Sequence, residues 1–323
     1  MNTSDALVKR RWFDLSRVSS WAGDNGIYLT LLGLVIFNAI FTNNFATTVT
    51  FWNLLVQVAP IVLVALGMAM VIGTGGIDIS VGSVMAIASA IVPLTLGWGW
   101  PIAVICGLLG GALVGAFNGF FVAVVGMQPI VATLALLVGG RGLAQVMVGA
   151  YLQIIYDKPF LALGRARVLE IPFPVIVAIV MSLIMAFVVN RTTLGRYVQS
   201  AGANRRAAYL SGHPVRLTLM SVYMISGFLA GLAGVLATAR LAASDPAKIG
   251  LLMELDAIAA VVVGGMPLSG GRVSVPKTLA GALFVQVITA TFIMNNLSPI
   301  WAQVLKGIII VLAVYIQRRG RRA

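Results

Sequence analysis

The chain has 323 residues, of which 60% are hydrophobic and only 10% charged, and its mean hydropathy is +1.01. A soluble domain carries about 25% charged residues and cannot hide that much apolar surface, so the composition excludes a soluble globular enzyme and points to a membrane protein. The net charge of +13 does not indicate nucleic-acid binding, because the basic residues sit beside apolar runs as anchors and form no separate basic face.

In chain order, residues 1–26 are polar and basic (Lys9, Arg10, Arg11, Arg17), which predicts a cytoplasmic tail without a cleavable leader. An interfacial helix is expected there around Trp12, Phe13 and Trp21. Six apolar runs follow, at 27–45, 51–72, 81–97, 101–126, 129–149 and 172–190, and a bilayer crossing needs about 20 such residues. Cys106, the one cysteine, lies inside an apolar run and excludes an intrachain disulfide.

The stretch 191–216 holds Arg191, Arg196, Arg205, Arg206 and Arg216 and no acid, so the positive-inside rule places it in the cytoplasm. Beyond it, runs at 217–241, 277–296 and 300–317 are plain. Three crossings would leave the basic tail 318–323 outside, so a fourth is required, and only LDAIAAVVVGG (255–265) can supply it. That stretch is short: it is either extended by residues before Leu255 or a half-helix buried among its neighbours. The expected fold is an all-α membrane bundle of about ten spans with short and broken helices. Residues 27–317 form one transmembrane domain, with both termini inside.

Four glycines, Gly107, Gly111, Gly115 and Gly119, recur every four residues in the fourth run, and Gly227 and Gly231 do so in the seventh. Such faces let helix backbones approach closely in a membrane.

Two polar breaks interrupt the apolar pattern. GTGGIDISVGS (73–83) carries Gly75, Gly76, Asp78 and Ser80 between two strongly apolar runs. Asp78 and Ser80 either cap the following helix or line a translocation route, as broken helices do in transporters. GGMPLSGGRVSVP (264–276) is the second break, a hinge or a tight loop. Arg141, with Gln145 one turn on, either snorkels to the outer interface or walls an outer vestibule. Asn295 and Asn296 either serve that vestibule or cap a helix, and Lys306 is expected as an interface anchor.

Within 191–216, Gly202 and Gly212 bracket ANRRAAYLS: Asn204, Arg205, Arg206, Ala207 and Ala208 predict either a short helix presented to the cytosol, as a docking element for a soluble partner, or a solvated basic loop that serves only topology. No GxxxxGK[ST] phosphate loop exists, since GGRVSVPKT has the wrong spacing. His213 stands alone, so no metal set or Ser-His-Asp arrangement is available. A transport subunit without its own catalytic site is expected. An ion-coupled secondary transporter is the rival, with Asp78 as its carboxylate.

The stretches GMAMVIGTGGIDISVGSVMAIAS, TLGRYVQSAGANRRAAYLSG and LDAIAAVVVGGMPLSGG resemble the permeases of bacterial ABC importers for monosaccharides, in the same order over about 50–316. MQPIVATLALLVGGRGLAQ and MELDAIAAVVVGG are most similar to the galactofuranose permeases; ribose- and xylose-type permeases are the alternative. The resemblance implies a type II importer fold of ten spans in the bacterial inner membrane. It also implies a second permease, a different chain in the galactofuranose systems, and a periplasmic sugar-binding protein. The chain would bind no cofactor of its own, since ATP and Mg sit in cytoplasmic ATPase subunits. The family's coupling helix matches Gly202 to Gly212. Met266-Pro267 departs from the family's usual run before the serine.

Overall fold

A computed structural model describes the chain from residue 15 to 319, and its side chains from 25 to 315. The expected residues Trp12 and Phe13 and the arginines at 321 and 322 lie outside the described residues. The elements in order are α1 (Leu15–Phe41), α2 (Thr48–Gly73), α3 (Val81–Thr95), α4 (Trp100–Phe120), α5 (Pro129–Met147), α6 (Lys158–Arg165), α7 (Phe173–Arg191), α8 (Thr193–Ala203), α9 (Arg205–Leu210), α10 (Val215–Leu241), α11 (Met253–Val263), α12 (Val275–Met294) and α13 (Pro299–Arg319). Short 3-10 and π segments extend α3 to Trp98 and α4 to Val125.

Among the described residues, seven helices are long and apolar enough to cross a membrane: α2, α3 and α4 with their extensions, α5, α7, α10 and α12. α1 and α13 add two shorter described apolar stretches, Asn25–Phe41 and Pro299–Tyr315. α11, at 11 residues, is the short tenth element that charge parity requires. Its boundaries decide between the two expected forms: it is a half-helix.

α2 is the axis of the bundle. From Val58 to Gly73 nearly every residue is buried, which matches a helix apolar on all sides. Around it pack α7, α10, α11 and α12. The lipid-like exterior is carried by exposed apolar side chains such as Leu109, Leu113 and Phe117 on α4, Val138 and Leu143 on α5, and Leu183 and Phe187 on α7.

The most intimate helix pair is α4 with α10. A Cβ at Gly111 would meet the Gly227 carbonyl and Gly231 Cα; one at Gly115 would meet the Tyr223 carbonyl and Gly227 Cα; one at Gly119 would meet Met220 Cα. The two glycine faces foreseen separately are therefore one seam, in which backbone lies against backbone. Lipid tails are as apolar as the helices, so such close van der Waals packing replaces the hydrophobic drive of a water-soluble core.

Three features have no counterpart in the sequence reading. Helix α6 lies across the end opposite α8 and α9, held at its start by the Asp157 side chain accepting from the Phe160 amide (2.8 Å). Strand pairs β1 (Gln153–Ile154) with β4 (Ala243–Ser244), and β2 (Arg167–Val168) with β3 (Ile171–Pro172), tie the loops there. At the other end, the short helix expected between Gly202 and Gly212 is α9, and a further helix, α8, precedes it, parted from it at Asn204 in extended backbone (φ −157°).

Candidate functional site

The first break descends into the bundle. α2 ends at Gly73, residues 74–80 are irregular, and α3 begins at Val81. Gly75 has φ +80°, a conformation that strains any L side chain, and it lets the chain turn back between the helices. Gly76 lies against the Tyr223 hydroxyl, with no room for a Cβ.

Asp78 is 1% exposed and Ser80 0%. The Asp78 Oδ1 accepts from the Ser80 hydroxyl (2.6 Å) and the Ser80 amide (3.1 Å). Its Oδ2 accepts from the Ser226 hydroxyl of α10 (3.0 Å). Asn118 of α4 donates to the Ser80 hydroxyl oxygen (2.7 Å). The Ser80 side chain makes no capping bond to α3, which corrects that half of the capping expectation; its hydroxyl is spent on Asp78. Asn118 and Ser226 were not singled out by the sequence reading. Polar residues on the small-residue faces of apolar runs were the signal that could have found them.

The depth of the carboxylate follows from its partner. Ser226 lies ten residues from Arg216 along α10, about 15 Å at 1.5 Å per residue, half of an apolar layer about 30 Å thick. Asp78 therefore sits near mid-depth, sealed by protein, and joins α2, α3, α4 and α10 at one point. Asp78→Ala strands the Ser80 and Ser226 hydroxyls and should cost about 2–4 kcal/mol of stability in detergent. Asp78→Asn keeps an oxygen for Ser80 and should lose less than half of that. Thermal unfolding of the two variants measures the difference.

A second re-entrant segment meets this one. After α10, Ser244 shares a hydrogen bond with Ser89 of α3 (2.9 Å), and the chain then runs inward until Gly250 (φ +71°) packs on Gly82 with no room for a Cβ. α11 starts there and runs toward the end that carries α8 and α9. Arg141 of α5 grips this segment: its guanidinium donates to the carbonyls of Pro246 (2.8 Å), Ala247 (3.3 Å) and Ile249 (3.2 Å). Arg141 is thus a brace for a re-entrant loop, and Gln145, one turn away, is half-buried. Lys306 is no free anchor: it pairs with Asp256 of α11 (2.7 Å), both largely buried. Asn295 donates to Thr42 (3.0 Å) and to the Thr291 carbonyl (2.8 Å), and Asn296 has φ +57°. Both asparagines serve the turn that ends α12, and Asn295 ties it to the end of α1.

The α8–α9 region is exposed apart from one side. The Asn204 side chain caps α9 by accepting from the Ala207 amide (3.0 Å). Ala208 is buried against Ala201, Val215 and Leu219, whereas Tyr209 and Leu210 are 68% and 76% exposed. Gly212 (φ +79°) turns the chain into α10, and His213 hydrogen-bonds Ser200 (2.8 Å) across the turn. A Cβ at Gly202 would overlap both the Gly73 carbonyl and the Gly271 amide, and the Gly271 amide itself donates to the Gly73 carbonyl (3.0 Å). Gly270, from the same second break, lies against Gly75. The exposed element thus ends in contact with both glycine breaks at once. Among the described residues, no group of three or more His, Cys, Asp or Glu could hold a metal ion.

Comparison with known proteins adds to this. Residues 50–314 match the family described as branched-chain amino acid transport system / permease component. The galactofuranose transporter permease of Escherichia coli (strain K12) is 37% identical over 268 residues, 82% of this chain and 78% of that protein. The ribose import permease of Bacillus subtilis (strain 168) is 37% identical over 298 residues, 91% and 92% of the two chains. The fructose import permease of Bifidobacterium longum (strain NCC 2705) is 34% identical over 247 residues, 75% and 69%. No solved structure matches the chain.

Proposed function

We propose a function from one premise: this chain belongs to the branched-chain amino acid transport system / permease component family. It is a multi-pass permease subunit of a sugar ABC importer in the inner membrane, and hydrolysis of ATP belongs to partner subunits. The sugar is galactofuranose, by similarity to the galactofuranose permease. A ribose-type pentose is the second reading, favoured by the ribose permease's equal identity over a longer stretch. A second permease, a different chain, completes the pathway, and a periplasmic sugar-binding protein delivers the sugar. The basic end faces the cytoplasm, as the positive-inside rule requires.

The observation that carries the mechanism is the contact of Gly202 with Gly73 and Gly271. ATP-driven closure of the ATPase pair pushes on α9. The push passes through α8 into both breaks, whose glycines offer backbone freedom where the helices are interrupted. The rigid part of the lever is the α4–α10 seam, and rocking of such packed bundles about irregular segments gives alternating access. Asp78 organises the pivot by joining four helices. It does not touch sugar in this state, since its carboxylate is sealed.

Ala208 faces inward, so the docking surface is the exposed side of α9 with Tyr209 and Leu210 at its end. Leu210→Asp puts a charge into an apolar anchor and should weaken copurification with the ATPase at least tenfold, on the scale of an interface hot spot. Thermal stability of the isolated permease should change little, because Leu210 makes few contacts within the chain. An unchanged ATPase association would place the docking surface elsewhere.

A further inference from the structure

The first half of α2 differs from the second. Val58 onward is buried, but Thr50, Asn53 and Gln57 lie at i, i+3 and i+7 on one face of an otherwise apolar helix. That face borders a cavity of about 160 Å³, whose other wall is Ala290, Ile293 and Met294 of α12. Leu54 completes the lining, and no lining residue is charged. Thr50 is committed to its own helix start, donating to the Asn44 carbonyl (2.9 Å). The two amides are not. Asn53 is exposed, and its side chain makes no hydrogen bond among the described residues. Gln57 is held from behind by Gln286, a 5% exposed residue of α12 (2.8 Å), and keeps its second amide atom for the cavity.

An amide facing hydrocarbon is costly in a membrane, so this face looks onto water or a polar ligand. The Asn53 amide offers both a donor and an acceptor, as a hydroxyl does, and the remaining Gln57 Nε2 offers a donor. The apolar wall suits the C–H face of a sugar ring. An amino acid would bring an ammonium and a carboxylate into a cavity with no counter-charge.

Resting on the importer reading above, we propose that Asn53 and Gln57 form a subsite for a neutral, polyhydroxylated ring on the entry half of the permease. Gln286 acts as the positioning residue behind Gln57. The subsite selects for sugar against amino acids within a family whose description names the latter.

The test uses the assembled complex in proteoliposomes. Cys106 is the sole native cysteine of this chain, so Cys106→Ala with Asn53→Cys gives it one reporter thiol, and labelling is read on this chain's own band. A membrane-impermeant methanethiosulfonate is added on the binding-protein side, with sugar-free binding protein or with binding protein loaded with galactofuranose or D-ribose. Trp98→Cys, 70% exposed at the same end of the bundle but off α2 and outside this cavity, controls for simple docking. The expected result is that Asn53→Cys is labelled and that the transported sugar slows labelling at least threefold, with Trp98→Cys unaffected. In parallel, Gln57→Leu and Gln286→Leu should each erode the preference for the transported sugar over its monodeoxy analogues about tenfold, the size of one lost hydrogen bond, whereas Gln286→His, which keeps an N–H donor for the Gln57 carbonyl, retains it. Labelling that ignores sugar, or a thiol shielded by the second permease and never labelled, overturns the subsite while leaving the importer reading intact. A wild-type complex that shows no ATP-dependent uptake of either sugar overturns both.

Discussion

Gly115→Leu is expected to abolish accumulation of folded protein, whereas Gly139→Leu on α5 leaves it near the wild-type level. A Cβ at Gly115 would overlap the Tyr223 carbonyl and crowd Gly227 Cα, both backbone atoms of α10. A rotamer change cannot relieve a clash with backbone, so α4 and α10 must part along the whole row from Gly107 to Gly119. Overpacking in a soluble core costs about 1–3 kcal/mol. Here the loss extends over several turns, and no hydrophobic drive between helices restores it in lipid. We therefore expect a cost of about 3 kcal/mol or more. Gly139 has no heavy atom within 4 Å of where its Cβ would be, so the same side chain there enters open space beside α5. Monodisperse yield after detergent extraction distinguishes the two. Equal yields would mean that the seam is not the packing unit described.

Gly202→Val is expected to uncouple the machine without dissolving it. The substitution drives a branched side chain into the Gly73 carbonyl and Gly271 amide, at the meeting point of α8 and both breaks. The exposed face of α9 lies beyond this point, capped by Asn204, and stays available for docking. The ATPase should therefore still copurify, while stimulation of hydrolysis by sugar-loaded binding protein falls at least tenfold. Loss of copurification together with stimulation would show that Gly202 serves only to fold the docking element.

How much of this was legible in the sequence differs by interaction range. Spans appear within a few residues of the apolar runs, because crossing a bilayer fixes length and composition: the run 51–72 is α2 at 48–73, and 172–190 is α7 at 173–191. Charge parity alone demanded α11 in a stretch too short to announce itself. The glycine rows were visible as spacing, though not that they face each other. What escaped depends on contacts between distant segments. The Asp78 carboxylate is satisfied from position 226, Arg141 reaches carbonyls more than a hundred residues on, and Lys306 finds Asp256. No local pattern encodes such pairings. Ala208 escaped for another reason: a six-residue helix is too short for periodicity to say which side faces in. The polar face of Thr50, Asn53 and Gln57 did carry a readable signal, a helical spacing inside an apolar run, and it was passed over because none of the three is charged.

The rival to the whole account is a secondary transporter that draws on an ion gradient through a buried carboxylate. The decisive measurement is sugar uptake by proteoliposomes holding this chain, the proposed second permease and the ATPase, with binding protein on one side and ATP on the other. Uptake should require ATP on the α9 side, require the binding protein, be indifferent to an imposed proton gradient, and be lost in Leu210→Asp. Uptake that proceeds without ATP, follows the proton gradient and survives Leu210→Asp would contradict the importer reading, and Asp78 would then become the carboxylate to examine.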